Sequence, residues 1–132
     1  MPEIHVYGLK GPSLDQKRTL VREVTSAMED HFKVTKDWVQ ISFFEVDGQT
    51  RASHGLMYVD GPPMERDITE VQIFALEGRT IDQRRALSKA LNRIFEDHYD
   101  AKHVVISFIE ITPGYKANHG QLYIDGNYIP QT

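Results

Sequence analysis

Cysteine is absent from this sequence of 132 residues, which excludes disulfide bonds, thiolate nucleophiles and zinc sites built from cysteine. Long apolar runs are absent too, since no stretch approaches the roughly 20 residues that a membrane-spanning helix requires. The first residues have neither the basic nor the apolar region of a signal peptide, so we expect a cytoplasmic protein. The available chemistry is therefore that of amine, carboxylate, imidazole and hydroxyl groups.

Positive charge is scarce, because 15 Lys and Arg residues stand against 19 Asp and Glu residues, for a formal net charge of −4. A nucleic-acid surface needs a surplus of basic residues, so we expect no nucleic-acid partner, and no membrane partner either. The six histidines lack the close spacing of metal ligands, and we expect no metal ion and no other cofactor. With 40% apolar and 26% charged residues, the composition predicts one folded globular domain.

The sequence contains one unit twice. Shifted by 67 residues, the first half matches the second, beginning with Glu3 and Glu70, and after the helix the shift falls to 65. We predict a single domain made of repeat one at residues 2–61, a linker at residues 62–68 and repeat two at residues 69–126. The matched pairs include Leu9 and Leu76, Gly11 and Gly78, Asp15 and Asp82, His31 and His98, Phe43 and Phe108, His54 and His119, and Tyr58 and Tyr123.

Each unit reads as a strand, a helix, a strand and a short terminal strand. Alternating apolar and polar residues predict opening strands over residues 3–9 and 71–76. Ser13 and Thr80, each followed three residues later by glutamine, form capping boxes that begin the helices. Apolar residues at helical spacing give each helix one apolar face, formed by Leu14, Leu20, Val24, Ala27, Met28 and Phe32 in the first and by Ile81, Leu87, Leu91, Ile94, Phe95 and Tyr99 in the second.

Residues 39–46 and 104–111 are rich in β-branched and aromatic residues, as strands covered by helices should be. Each unit is therefore predicted to be a parallel β-α-β unit with a right-handed crossover. The predicted fold class is α+β, with tandem β-α-β repeats forming a four-stranded mixed sheet and two helices on one face. The other face would expose Val, Ile and Phe side chains to water, so we expect an oligomer that buries it.

The opening Pro-x-Ile, the Leu-x-Gly turns before the helices and the Asp-Gln at each helix start resemble the tautomerase superfamily, and its 4-oxalocrotonate tautomerase type in particular. Residues 74–83, with the sequence Phe-Ala-Leu-Glu-Gly-Arg-Thr-Ile-Asp-Gln, are closest to that type. Two units in one chain resemble the fused branch, which includes cis-3-chloroacrylic acid dehalogenase and is similar in architecture to macrophage migration inhibitory factor. The resemblance covers the whole chain and implies a homotrimer with inward-facing sheets and a site beside an N-terminal proline.

The resemblance implies one active site per chain. Pro2, freed as an N-terminal amine, matches the catalytic proline, whereas repeat two has Thr69 at that place. Arg79 matches the arginine that holds a substrate carboxylate, whereas repeat one has Pro12; a solvated position in the first turn of a helix is the alternative for Arg79. An α-amine has a reference pKa of about 8, and burial beside a guanidinium would lower that pKa toward neutrality, giving a general base.

Departures from the family pattern limit the classes of substrate and reaction that the resemblance implies. The family's second arginine is replaced by Gln40 in one repeat and Val105 in the other, which disfavours a dicarboxylate. Asn118 stands close to where the dehalogenase has its water-activating glutamate, which disfavours hydrolytic dehalogenation. Tyr115, Lys116 and Asn118 are candidates for the border of the substrate pocket, although a polar hairpin has the same composition.

Histidines that recur at equal places in both units favour structural roles over catalysis. We expect His54 and His119 to lie in turns, and His31 and His98 to lie near the carboxyl ends of the helices, where positive charge is favourable.

We expect a cofactor-independent keto–enol tautomerase that acts on a small 2-keto or enol carboxylate, with Pro2 as general base and Arg79 binding the carboxylate. One alternative is a hydratase, decarboxylase or dehalogenase of unsaturated or β-keto acids that uses the same proline. The other is a non-catalytic trimeric binding protein, because the nitrogen of Pro2 would be a non-basic amide if Met1 were retained.

Overall fold

Both helices begin at the capping boxes that the sequence predicts. The computed structural model of the chain describes residues 1–61 and 67–126. Helix α1 spans Leu14–Phe32 and helix α2 spans Ile81–His98. The hydroxyls of Ser13 and Thr80 each accept from the main-chain N–H three residues later, and the glutamine there accepts from the N–H of the cap residue. The predicted helix starts are confirmed.

Four of the strands form one mixed sheet. The strands, in chain order, are β1 (Glu3–Leu9), β2 (Gln40–Val46), β3 (Ala52–Ser53), β4 (Leu56–Met57), β5 (Thr69–Leu76), β6 (Val104–Ile111), β7 (Ala117–Asn118) and β8 (Gln121–Leu122). The sheet has the order β2-β1-β5-β6, with both outer pairs parallel and the central pair antiparallel. Ile4 lies opposite Ile73 in that central pair, and Val6 opposite Val71. The predicted mixed sheet of two β-α-β units, related by a pseudo-two-fold axis, is confirmed.

One face of the sheet packs against both helices and holds the core. The fully buried side chains come from β1, β5, α1 and α2, and include Ile4, Val6, Val71, Ile73, Leu20, Val24, Met28, Phe32, Leu87, Leu91 and Phe95. Leu14 and Ile81 were predicted on the same helix faces, but they are 60% and 53% exposed. Each is the first residue of its helix, and burial begins only at Leu20 and Leu87, so these two predictions were wrong.

The end of each unit is a hairpin rather than the single short strand that the sequence predicts. Strands β3 and β4 pair antiparallel, and so do β7 and β8. In the turns, His54 and Gly55 have φ of 56° and 78°, and His119 and Gly120 have φ of 53° and 79°. Two consecutive residues with positive φ fit a tight turn that follows the twist of a hairpin. The expected turn positions of both histidines are confirmed.

The other face of the sheet, called here the open face, has no helix over it in the part of the chain that the structure describes. Its centre is an aromatic cluster of His5, Tyr7, Phe44 and Phe74. The rings of Tyr7 and Phe44 stack with centroids 4.7 Å apart, and those of His5 and Phe74 lie 4.8 Å apart. Phe44 remains 42% exposed, so the single chain leaves apolar surface in water.

Residues 62–66 of the predicted linker lie outside the described residues, so the linker boundaries stay a prediction. His31 and His98 lie in the last turns of α1 and α2, as expected. Within residues 1–61 and 67–126, neither helix has the length and apolar character that a membrane span requires.

Candidate active site

The start of β1 lies beside the end of β5, in the middle of the sheet. Glu3 pairs with Phe74 in the antiparallel register, so the same register continued by one residue brings Pro2 beside Ala75. The side chain of Pro2 is fully buried, and its carbonyl accepts from the N–H of Gln40 at 3.1 Å. The residue that the sequence suggests as a base is therefore held between β2 and β5 and not on a loose terminus.

The side chain of Met1 fills an apolar niche at this end of the sheet. Met1 is 8% exposed and packs against buried Leu76 and Tyr123, with Phe74 and Ile111 around them. These four residues define what we call the apolar niche. Since Met1 fills it, loss of Met1 would open apolar space next to Pro2.

A polar cavity of about 390 Å³, which we call the amino-end cavity, opens beside this niche. Its lining includes Lys116 and Asn118, two of the predicted substrate-binding residues. It also includes Glu3, Asp37 and Trp38, which the sequence analysis missed, and Met1 itself. The hairpin formed by β7 and β8 therefore lies beside the amino terminus of the chain.

Lys116 is fixed at the base of that hairpin, where its carbonyl accepts from the N–H of Tyr123 at 2.8 Å. Its ammonium group donates to Oε1 of Glu3 at 2.7 Å. This hydrogen bond holds the pKa of the Glu3 carboxyl below its usual range. The second carboxylate oxygen of Glu3 lies 3.9 Å from Nε2 of His5. Glu3 and Lys116 thus form a charged pair beside the chain's first residue.

The amino group at this end is surrounded by groups that change its basicity. Burial lowers the pKa of the Met1 ammonium group, Lys116 lowers it further, and Glu3 acts in the opposite direction. An amine with a lowered pKa is more often neutral near pH 7, and a neutral amine can accept a proton from a substrate.

Arg79 lies at the same end of the sheet, but its guanidinium group packs on the helix side. Its Nη1 donates to the carbonyl of Leu76 at 3.1 Å and its Nη2 to the carbonyl of Phe32 at 3.2 Å. The group lies over the ring of Phe32, 5.2 Å from the centroid. Burial lowers the pKa of the guanidinium group. Arg79 does not line the amino-end cavity, and the structure does not bring it to Lys116.

Tyr115, the remaining predicted substrate-binding residue, is 87% exposed and lies outside the amino-end cavity. Of the residues that the sequence analysis missed, Glu3 could have been found, because it is adjacent to Pro2. Asp37 and Trp38 belong to the loop that is two residues longer in repeat one, and this difference in length was their only signal. Among the described residues, no group of three His, Asp or Glu side chains could hold a metal ion.

The first repeat matches a known protein family. Residues 2–60 match the family model described as Tautomerase enzyme. The crystal structure of native fused 4-OT shares the fold with a TM-score of 0.81 at 22% identity, covering 92% of this chain and 96% of that chain. This family match covers repeat one, and the whole chain has the fold of fused 4-OT. The two-repeat fold that the sequence predicts is confirmed by this match along the chain.

Other solved structures give the same result for the fold of this chain. F6 fused 4-OT, an asymmetric trimer, matches with a TM-score of 0.80 at 20% identity, over 92% of this chain and 96% of that chain. Macrophage migration inhibitory factor of Toxoplasma gondii matches with a TM-score of 0.72 at 13% identity, over 91% and 98%. At these identities the likeness establishes the shared fold. No curated protein matches the chain by sequence.

Proposed function

We propose that this chain is a cofactor-independent keto–enol tautomerase for a small 2-keto or enol carboxylate, and that Pro2 is its general base once Met1 has been removed. The observation that carries the proposal is the position of the amino terminus, which is buried next to Lys116 and opens on the amino-end cavity. A general base needs a neutral amine within reach of a bound substrate, and this position supports both requirements.

Removal of Met1 would have two effects at once. It would turn the amide nitrogen of Pro2 into a secondary amine, and it would vacate the apolar niche of Leu76 and Tyr123. We propose that the carbon chain of the substrate occupies this niche while its carboxylate binds the Lys116 ammonium group and the Asn118 amide. The lining has one cationic side chain, Lys116, and two carboxylates, Glu3 and Asp37, which supports a substrate with one carboxylate rather than two.

In the proposed reaction, the Pro2 amine takes the proton α to the substrate carbonyl and returns it elsewhere on the conjugated chain. The positive charge of Lys116 stabilises the enolate that forms between the two transfers. Arg79 and Tyr115 stay predictions from the sequence, because the Arg79 guanidinium group packs on the helix side and Tyr115 is exposed.

Replacement of Pro2 tests the base directly. We expect Pro2→Ala to slow the ketonisation of phenylenolpyruvate by about 10²–10⁴-fold, the usual contribution of a general base. Thr69→Ala, at the matching place in repeat two, is the control and should leave the rate unchanged. Equal rates for Pro2→Ala and the unmodified protein would end the proposal.

A covalent label tests whether Pro2 carries a free amine. The related structure of Pt0534 is of a protein inactivated by 2-oxo-3-pentynoate. We expect the same compound to inactivate this chain and to leave one adduct, which peptide mass spectrometry should locate on Pro2. An adduct on a lysine alone would contradict the assignment.

We also infer a homotrimer that covers the open face. The aromatic cluster of the open face supports this inference, as do the trimers formed by F6 fused 4-OT and W0 fused 4-OT. Light scattering at micromolar concentration should give three times the chain mass, and a stable monomer would contradict the inference.

A non-catalytic binding protein is the second candidate, and the way Met1 fills the apolar niche is the observation that favours it. The intact mass of the protein from its natural host separates the two. A mass lower by one methionine supports the tautomerase, whereas a retained Met1 leaves Pro2 without a basic nitrogen.

A hydratase, decarboxylase or dehalogenase would use Pro2 as an acid. Burial and Lys116 lower the pKa of the Met1 amine, and the same surroundings would favour a base once Pro2 is the first residue. Titration of the Pro2 nitrogen by NMR is the test, since a pKa well above neutrality would favour the acid.

A further inference from the structure

We propose that the opposite end of the sheet carries a binding site for a small organic cation with a guanidinium group. A cavity of about 340 Å³ lies there, where β1 ends and β5 begins. We call it the repeat-one cavity, and its lining includes Leu9, Lys10, Pro12, Asp67, Thr69 and Tyr99.

The pseudo-two-fold axis relates this cavity to a place that a guanidinium group already occupies. The shift of 67 residues pairs Pro12 with Arg79, Tyr99 with Phe32 and Leu9 with Leu76. In repeat two, Arg79 lies over the Phe32 ring, donates to the Leu76 and Phe32 carbonyls, and leaves only about 10 Å³ of free space. In repeat one, Pro12 does not reach as far, and the corresponding space is open.

The repeat-one cavity is lined by residues whose side-chain oxygens can accept hydrogen bonds. Two of them, Thr69 and Tyr99, are each only 4% exposed. Both lie over Gly8, where an added Cβ would be 3.5 Å from Thr69 Oγ1 and 3.7 Å from Tyr99 Cε2. Oδ1 of Asp67 is buried and has no hydrogen-bond partner within the described part of the chain. Buried polar atoms are rarely left unpaired, so this carboxylate oxygen indicates a ligand that donates a hydrogen bond.

The charge of the surroundings indicates that this donor is positive. Tyr99 caps the carboxyl end of α2, and a helix carboxyl end attracts cations, as the carboxyl end of α1 does for Arg79. Asp67 supplies a carboxylate whose pKa is raised by burial, against the influence of Arg51 and Lys102, so a bound cation would stabilise its charged form. The Tyr99 ring offers the same cation–π surface that Phe32 offers Arg79. Lys10 does not fill the cavity, because its side chain is 66% exposed and its Nζ lies 3.6 Å from Oδ2 of Asp47.

The test is a titration of the intact protein with methylguanidinium at millimolar concentrations, with methylurea as a neutral molecule of the same shape. We expect one methylguanidinium per chain, bound about tenfold more tightly than methylurea, because bonds to a charged group are stronger. The affinity of each ligand is measured by calorimetry or from the NMR shifts of Tyr99 during the titration. Equal affinity for the two ligands would overturn the proposal.

Two matched variants sharpen the test. Pro12→Arg places a guanidinium group in the repeat-one cavity and should abolish binding. Arg79→Ala vacates the equivalent place in repeat two and should raise the stoichiometry from one to two per chain. Asp67→Asn should weaken binding about tenfold, and it replaces Pro12→Arg as the test if that variant does not fold. Unchanged binding in Pro12→Arg or Asp67→Asn, or unchanged stoichiometry in Arg79→Ala, contradicts the proposal. These readouts do not involve Pro2, so their failure leaves the proposed enzyme function intact.

Discussion

At the amino end of β1, Lys116 donates to the carboxylate of Glu3, whereas at the opposite end its repeat-one counterpart, Arg51, donates to the main-chain carbonyl of Ile68. Both residues stand at the same place, just before a hairpin, and are 65 positions apart. The lysine remains beside an amino group and an open cavity. The arginine instead holds the chain that leads into β5.

The two ends show that a duplicated unit can keep one backbone arrangement, called here the frame, while the residues at its two ends differ. The frame is common to both repeats, since each has a capping box, a left-handed residue after its helix and a His-Gly turn. Lys33 and Asp100, which follow the helices, have φ of 57° and 53°. The ends differ in single residues, with Pro2 and Arg79 near one end and Thr69 and Pro12 near the other. Each difference can be tested against its counterpart.

The largest expected effect comes from substitutions in the core that both repeats share. Leu20 in α1 and Leu87 in α2 are matched by the shift of 67 and are both fully buried. We expect Leu20→Ala and Leu87→Ala each to lower the free energy of unfolding by about 2–5 kcal/mol, through lost burial and the cavity left behind. Urea unfolding measures both. If the losses in free energy of unfolding of the two variants differ by more than about 2 kcal/mol, the two repeats do not share one packing arrangement.

The next effect separates the two ends. We expect Lys116→Met to lower kcat/KM about tenfold to a hundredfold, because a bond from a charged group to the substrate carboxylate contributes about 1.5–3 kcal/mol. Arg51→Met is the matched change at the other end and should leave kcat/KM per folded protein unchanged. If both variants lose activity equally, Lys116 does not act at the site.

A smaller effect concerns the capping boxes. Ser13→Ala and Thr80→Ala each remove a side-chain acceptor at the start of a helix. We expect each change to cost about 1 kcal/mol of stability. Thermal unfolding should show a similar decrease in Tm for both variants. If only one variant has a lower Tm, the capping box of the other repeat does not contribute to stability.

The smallest expected effect is a shift along the pH axis. Lys116 lowers the pKa of the Met1 amine and Glu3 raises it, and we expect both to act in the same directions on the Pro2 amine once Met1 is removed. Lys116→Met should therefore raise that pKa, so that the amine is neutral only at higher pH and the acidic limb of the activity profile moves upward. Glu3→Gln should move the same limb downward. Shifts in the same direction for both variants would exclude the amine as the titrating group.

Much of the fold could be predicted from the sequence because it rests on local patterns. The capping boxes at Ser13 and Thr80 and the helical spacing after them fix where the helices begin, and the repeat then gives the sheet. The hairpins were harder to predict, because strands of two residues each are too short to show an alternating pattern. The direction of the Arg79 side chain could not be predicted, since it depends on the carbonyl and ring of Phe32, which is 47 positions away in the chain.

Trp38 is the only tryptophan in the chain, and it is 38% exposed where it lines the amino-end cavity. The chain therefore has one indole fluorophore, placed at one of its two pseudo-equivalent ends. A ligand that enters the amino-end cavity should change the emission of Trp38, whereas a ligand in the repeat-one cavity should leave it unchanged. Fluorescence excited at the indole band thus distinguishes the two cavities in a single sample, without any label attached to the protein.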